Sequence, residues 1–256
     1  MKLNKTSLVI SAIPFGVAEI VLSYLVQTAR GEVVPAVSYF CVLLAFIFAM
    51  STLSYAKDMG DNLVRLGLFI TLGADYFLVL ANPTRELAGV VVFCFVQLAY
   101  FAALILTDPC QRRRVAHVIL RVSVTALIVP VTLLVVGEGV DALAIFSAMY
   151  YANLVLNALF AFLDYKRWWL FGVGLVAFAL CDASIGFTFL ANEYLGATEG
   201  SFLYAVANSD LNLAWVFYVP SQAIIALVPL FHAFSDVRVS PAFRLGMSGI
   251  EKPSAE

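Results

Sequence analysis

ITLGADYFLVLAN, Ile70–Asn82, decides how this chain folds. It sets an aspartate, Asp75, in the middle of an apolar run long enough to cross a bilayer. A second stretch follows much later, VAFALCDASIGFTFLAN, Val176–Asn192, with Asp182 at its centre. A charged side chain at the bilayer centre costs at least about 2.5 kcal/mol, so such residues are rare and mark function. The rest of the chain reads as scaffolding that brings these two carboxyls together.

Composition bounds the class. Of 256 residues, 62% are hydrophobic and 12% charged, with a mean hydropathy of +0.95. Soluble domains carry about 25% charged residues, and a water-soluble fold of this length has no means of hiding so much apolar surface. A net charge of −2, with no basic patch and interleaved aromatics, argues against a nucleic-acid partner. Of the cysteines Cys41, Cys94, Cys110 and Cys181, only Cys110 falls outside the apolar runs, and none forms a CxxC pair. This argues against a disulfide framework and against a thiolate metal site.

The apolar runs predict an all-α polytopic membrane protein, a bundle of about eight transmembrane helices, each long enough for a core of ~30 Å. They fall at Ser7–Val26, Pro35–Tyr55, Leu63–Ala81, Leu87–Leu106, Val115–Val136, Ala142–Leu163, Trp168–Leu190 and Leu211–Phe234. The second is the least distinct at its end, where Ser51, Thr52 and Ser54 dilute it. One domain, residues 1–236, is followed by a polar cytoplasmic tail, residues 237–256, read as disordered. MKLNK before an apolar run resembles a signal peptide. The run is too long for one, contains Glu19 and lacks a small-residue cleavage site, so it reads as the first membrane helix.

Lys and Arg set the orientation. With the N-terminus in the cytoplasm, 13 of the 15 basic residues fall inside and only Arg30 and Arg85 outside, as the positive-inside rule requires. Both termini are then cytoplasmic, in the cell membrane if the source is bacterial. Connections are short, so neighbouring helices should run antiparallel. The exception is Ala191–Asp210, which holds an apolar patch at Phe202–Ala207. It reads as a loop resting on the membrane interface, or as a lip for incoming lipid. The aspartates lie on the third and seventh spans, which run in one direction and both end in Leu-Ala-Asn. A four-plus-four duplication would explain this, as would chance.

Several other polar residues fall near the middle of their spans: Glu19 on the first, Gln97 on the fourth, Asn153 on the sixth and Gln222 on the eighth. At ~1.5 Å per residue they share one slab with Asp75 and Asp182. Helical spacing then pairs Thr71 with Asp75, Gln97 with Tyr100, and Tyr218 with Gln222, and lines up Tyr150, Asn153 and Asn157. Polar residues in a membrane turn inward, so these stripes point to a polar cavity. Each has a structural alternative. The amides join helices by hydrogen bonds in many membrane proteins, tyrosines such as Tyr150, Tyr151 and Tyr218 often serve as packing aromatics, and Glu19 alone can be structural or protonated. For the aspartate pair the structural alternative is weakest, because two carboxyls at one depth are costly to keep without use.

LGADYFLVL at Leu72–Leu80, FVQLAYFAAL at Phe95–Leu104, ALCD at Ala179–Asp182 and YVPSQAIIAL at Tyr218–Leu227 follow one another in the order seen in the YhhN-like family of membrane proteins, which includes the mammalian lysoplasmalogenases. The chain resembles that family over about residues 63–230. Ala74, Gln97 and Cys181 stand where the family usually has Gly, His and Ser, and there is no Lys-Pro motif at the second span. The resemblance implies hydrolysis of the vinyl ether bond of a lysoplasmalogen, giving a fatty aldehyde and a glycerophospho-head group. It implies Asp75 and Asp182 as the catalytic pair, with Tyr218 and Gln222 beside the substrate.

The chemistry asks for what the residues offer. Protonation of the vinyl ether β-carbon needs a well-held general acid, and a second carboxylate stabilises the oxocarbenium ion and activates water. Gln97, Tyr100, Tyr218, Gln222, Asn153 and Glu19 are candidates for orienting water or the lysophospholipid substrate, and the apolar helices for holding its chain among membrane lipids. No cofactor and no metal is expected: a zinc hydrolase needs about three ligands, and only His117 and His232 exist, both near the cytoplasmic ends. Two other classes stay open: a proton-coupled transporter using the same carboxyls, and a structural or lipid-binding protein.

Overall fold

Each apolar run folds as a helix because a bilayer leaves backbone N–H and C=O groups no partner but their own chain. The computed structural model describes residues 5–28, 33–56, 58–81, 85–137, 140–194 and 198–234. The tail expected at 237–256 lies outside the described residues. The helices are α1 (Lys5–Thr28), α2 (Val33–Ser51), α3 (Met59–Asp75), α4 (Glu86–Thr107), α5 (Gln111–Val136), α6 (Ala142–Leu163), α7 (Tyr165–Phe189), the short α8 (Phe202–Ala207) and α9 (Leu213–Phe234). A π-helical turn, Tyr76–Leu80, extends α3, and another, Leu190–Tyr194, extends α7. Among the described residues, eight helices are long and apolar enough to cross a membrane. The protein is an all-α polytopic bundle.

The second span ends earlier than Tyr55. Ser51 and Thr52 turn their hydroxyls back onto Phe48 O and Ala49 O at 2.6 Å each, and such bonds compete with the helical ladder. Arg65 on α3 then takes up the carbonyls left behind. Its guanidinium donates to Ala49 O, Ala56 O, Thr52 Oγ1 and Asn62 Oδ1, tying the end of α2 to α3. The patch at Phe202–Ala207 is helix α8. Ser201 caps it, accepting from Tyr204 N, and Phe202 packs edge-on to Phe187 of α7.

Six helices close a ring: α3 packs on α4, α4 on α6, α6 on α7, α7 on α9, α9 on α2 and α2 on α3. Outside it, α1 packs on α2 and α9, and α5 packs on α6; of the eight spans these two bury the smallest share of their residues. Exchanging α1, α2, α3 and α4 for α5, α6, α7 and α9 maps the ring onto itself. This neighbour pattern is that of a four-plus-four arrangement, and it places α3 and α7 on opposite sides of the ring.

Glycines let the helices approach. A Cβ at Gly89 would stand 2.5 Å from Leu78 Cγ, and one at Gly174 would stand 2.7 Å from Ile225 Cγ1 and 3.3 Å from Ser221 O. The first contact joins α3's extension to α4, the second α7 to α9. One end of the bundle is closed by charge. Asp58 caps α3 and receives Arg167 of α7. His232 near the end of α9 bridges Asp61 Oδ1 at 2.6 Å and Arg167 O at 2.8 Å. Arg113 joins Asp108, Asp164 and Leu163 O. Six helix ends are thereby held at one level.

Candidate functional site

Asp75 is the last α-helical residue of α3, and the π turn starts at the next residue, with Ala81 N donating to Tyr76 O at 2.7 Å. Asp182 lies inside α7. At ~1.5 Å per residue the two are about 24 and 26 Å from the starts of their helices, so they share a depth. Asp75 is 2% exposed, and the two carboxyls lie within electrostatic reach of each other across the ring.

Each aspartate is held by one phenol. The Tyr218 hydroxyl of α9 donates to Asp75, standing 2.8 and 2.7 Å from its two oxygens. The Tyr150 hydroxyl of α6 donates to Asp182 Oδ2. Tyr100 of α4 lays its ring over Gly67, where a Cβ would meet it at 2.1 Å, and brings its hydroxyl beside Thr71 and within electrostatic reach of Asp75. Phe178 stands one turn before Asp182. Its ring lies 5.3 Å from Tyr218 and 6.3 Å from Tyr150, wedged between the two aspartate–tyrosine pairs. Phe93 of α4 backs both Tyr150 and Phe178.

No protein family, curated protein or solved structure matches this chain.

The remaining candidates do not share hydrogen bonds with the aspartates. Glu19 is buried on α1, where it lies near Cys41 of α2 rather than in the ring's centre. Asn153 donates to Met149 O on its own helix. Gln222 donates to Ser221 Oγ, which in turn bonds Tyr218 O. Gln97 belongs to a second cluster. Asn157 Nδ2 donates to Gln97 Oε1 at 2.9 Å and to Gln97 O at 3.0 Å, while Asn157 Oδ1 accepts from Arg121 Nη2. The sequence reading places Tyr150 on a polar stripe with Asn153 and Asn157, with packing as the alternative, does not name it as a site residue, and gives Arg121 only to the charge tally. Spacing carries one usable signal for Tyr150, its place seven residues before Asn157 on one face of α6. Nothing in the sequence pairs it with Asp182.

Among the described residues, no group of three or more His, Cys, Asp or Glu converges as a metal set. What converges is two carboxyls, the phenols of Tyr218, Tyr150 and Tyr100, and a wall of aromatic rings. Such a set can donate a proton, accept one, and stabilise a cation between two acids.

Proposed function

We propose that the chain is an intramembrane hydrolase of vinyl ether lipids, using Asp75 and Asp182 as an acid/base pair. The observation that carries this reading is the pair itself: two aspartates at one depth, Asp75 buried and Asp182 partly buried, on opposed helices, each held by a tyrosine hydroxyl. The resemblance to the YhhN-like family supplies the substrate, a lysoplasmalogen.

One carboxyl, in its acid form, delivers its proton to the β-carbon of the vinyl ether. The double bond's electrons form the new C–H bond, and the cation left is shared between the α-carbon and the ether oxygen. The other carboxylate stabilises that cation and takes a proton from the water that adds to the α-carbon. The hemiacetal collapses to a fatty aldehyde and the free glycerol hydroxyl, and the proton returns to the first carboxyl. Tyr218 and Tyr150 hold the two acids in place throughout. We place both termini and the charge-closed end of the bundle in the cytoplasm.

The test is aldehyde release from a defined lysoplasmalogen by purified protein. Asp75→Asn and Asp182→Asn should each cut turnover by about 10²-fold or more, and the double variant should be little worse than either alone. Carbon protonation in the slow step should also give a solvent deuterium isotope effect. A folded Asp75→Asn or Asp182→Asn protein that releases aldehyde at the parent rate would sink the reading.

The ring's two-fold neighbour pattern favours a second reading, a proton-coupled transporter. Transporters are often built from paired repeats with a site at their interface, and here the carboxyls lie on paired helices. Proton-linked flux into vesicles, lost in the same variants and with no aldehyde formed, would select it.

A further inference from the structure

Two buried arginines of this bundle are matched. Arg65 gives its N–H groups to two carbonyls, an amide and a hydroxyl, and Arg167 meets Asp58. Arg121 is the exception. It is 8% exposed, donates only Nη2, to Asn157, and has no hydrogen-bond acceptor at Nε or Nη1. Among the described residues it forms no ion pair with any Asp or Glu. The Phe101 ring, 4.2 Å from the guanidinium carbon, offers a π face but leaves the in-plane N–H groups unmatched.

The neighbours share this lack. Twelve buried side-chain N and O atoms have no hydrogen-bond partner, and five of them are nitrogens gathered here: Arg121 Nε and Nη1, His117 Nε2, Arg114 Nε and Gln97 Nε2. Arg114, His117 and Arg121 are spaced by three and four residues, which puts them on one face of α5. His117 is 2% exposed. Its ring is stacked 3.7 Å from Phe160 and set edge-on to Phe101, so packing holds it in place. Burying such groups without partners is costly, and a buried cation without a counter-charge is costlier still. What Arg121, Arg114 and Gln97 lack is an acceptor, and His117 joins them as its Nε2–H tautomer; the carboxylate that acts on this cluster, Asp108, is already paired with Arg113.

We infer that this α4–α5–α6 cluster is a binding site for a phosphate-type oxyanion. The free nitrogens come from four residues on two helices, so they do not form one planar fork of the kind that suits a carboxylate. A tetrahedral group with several oxygens can accept from such scattered directions. The track starts at Arg114, about one turn into α5, and ends at Arg121, about 15 Å into it. The anion therefore arrives from the charge-closed end. A lipid headgroup phosphodiester and inorganic phosphate share this chemistry.

The experiment uses the full chain in an uncharged detergent with three probes: an acyl lysophosphatidylethanolamine, a monoacylglycerol of the same chain, and inorganic phosphate. The lysophospholipid should bind saturably and raise the melting temperature, and the monoacylglycerol should do neither. Competition by inorganic phosphate would mean that the site accepts the free anion too. Arg121→Gln should weaken binding by about tenfold or more. His117→Phe keeps the ring stack, removes the nitrogen, and should weaken it several-fold, which covers the case in which Arg121→Gln does not fold. Binding of both phosphate probes no better than that of the monoacylglycerol, or unchanged affinity in a folded variant, would overturn the assignment. The lipid probe has no vinyl ether, so this outcome is separate from the outcome of the aldehyde assay.

Discussion

A phenol that donates to a carboxyl in an apolar interior does two things at once: it satisfies an acceptor, and it fixes where the carboxyl points. Tyr218 and Tyr150 do this for Asp75 and Asp182. A hydrogen bond to a charged group is worth about 1.5–3 kcal/mol, so Tyr218→Phe and Tyr150→Phe should each lower turnover by about 10- to 100-fold. Each keeps its ring packing, so the melting temperature should move far less than the rate. Steady-state aldehyde release, read beside a thermal melt, checks this, and an unchanged rate in both variants would remove the tyrosines from the mechanism. The aspartates are legible in the sequence because a charge in an apolar run is conspicuous by itself. Tyr150 is not, because a membrane-helix tyrosine looks the same whether it packs or donates. Glu19 shows the opposite failure: it is as conspicuous as the aspartates, yet it sits on α1, outside the ring, because depth along a helix says nothing about which neighbour the helix will have.

Helix boundaries follow from composition to within a few residues, and the differences have local causes such as the back-bonding of Ser51 and Thr52. Which helices touch depends on small residues whose effect appears only in the packed structure. Gly174 admits the α7–α9 contact and Gly67 seats the Tyr100 ring. Adding one methyl at either position forces overpacking, which costs about 1–3 kcal/mol, so Gly174→Ala and Gly67→Ala should both lower the melting temperature in detergent. Gly186 also lies on α7, with nothing within 4 Å of its would-be Cβ. Gly186→Ala should leave the melt unchanged or raise it slightly, since Ala is the better helix former. Equal effects at Gly174 and Gly186 would mean that the α7–α9 approach is not as close as described. The π turns after Asp75 and at the end of α7 carry no sequence signal beyond the shared Leu-Ala-Asn.

For the whole molecule, orientation rests on where the basic residues gather. Arg65, Arg112, Arg113, Arg114, Lys166 and Arg167 all lie toward the charge-closed end, where α2 leads into α3, α4 into α5 and α6 into α7. Among the described residues, Arg85 alone of the arginines lies at the other. This bias is what the positive-inside rule reads, and the even number of spans puts both ends of the helical domain on that side. The sequence shows the bias clearly, but not what becomes of the charges. Arg65 and Arg167 are buried in ties between helices, and Arg121 runs inward toward the bundle's middle. Cys110 provides a direct check. It is exposed in the link from α4 to α5, whereas Cys41 and Cys181 are buried and Cys94 is half-buried within α4. A membrane-impermeant maleimide applied to intact cells should therefore leave Cys110 unlabelled, and permeabilising the cells should label it within the same exposure. Labelling before permeabilisation would invert the bundle. The track from Arg114 to Arg121 would then open to the outer leaflet, and any phosphate reaching it would have to come from that side.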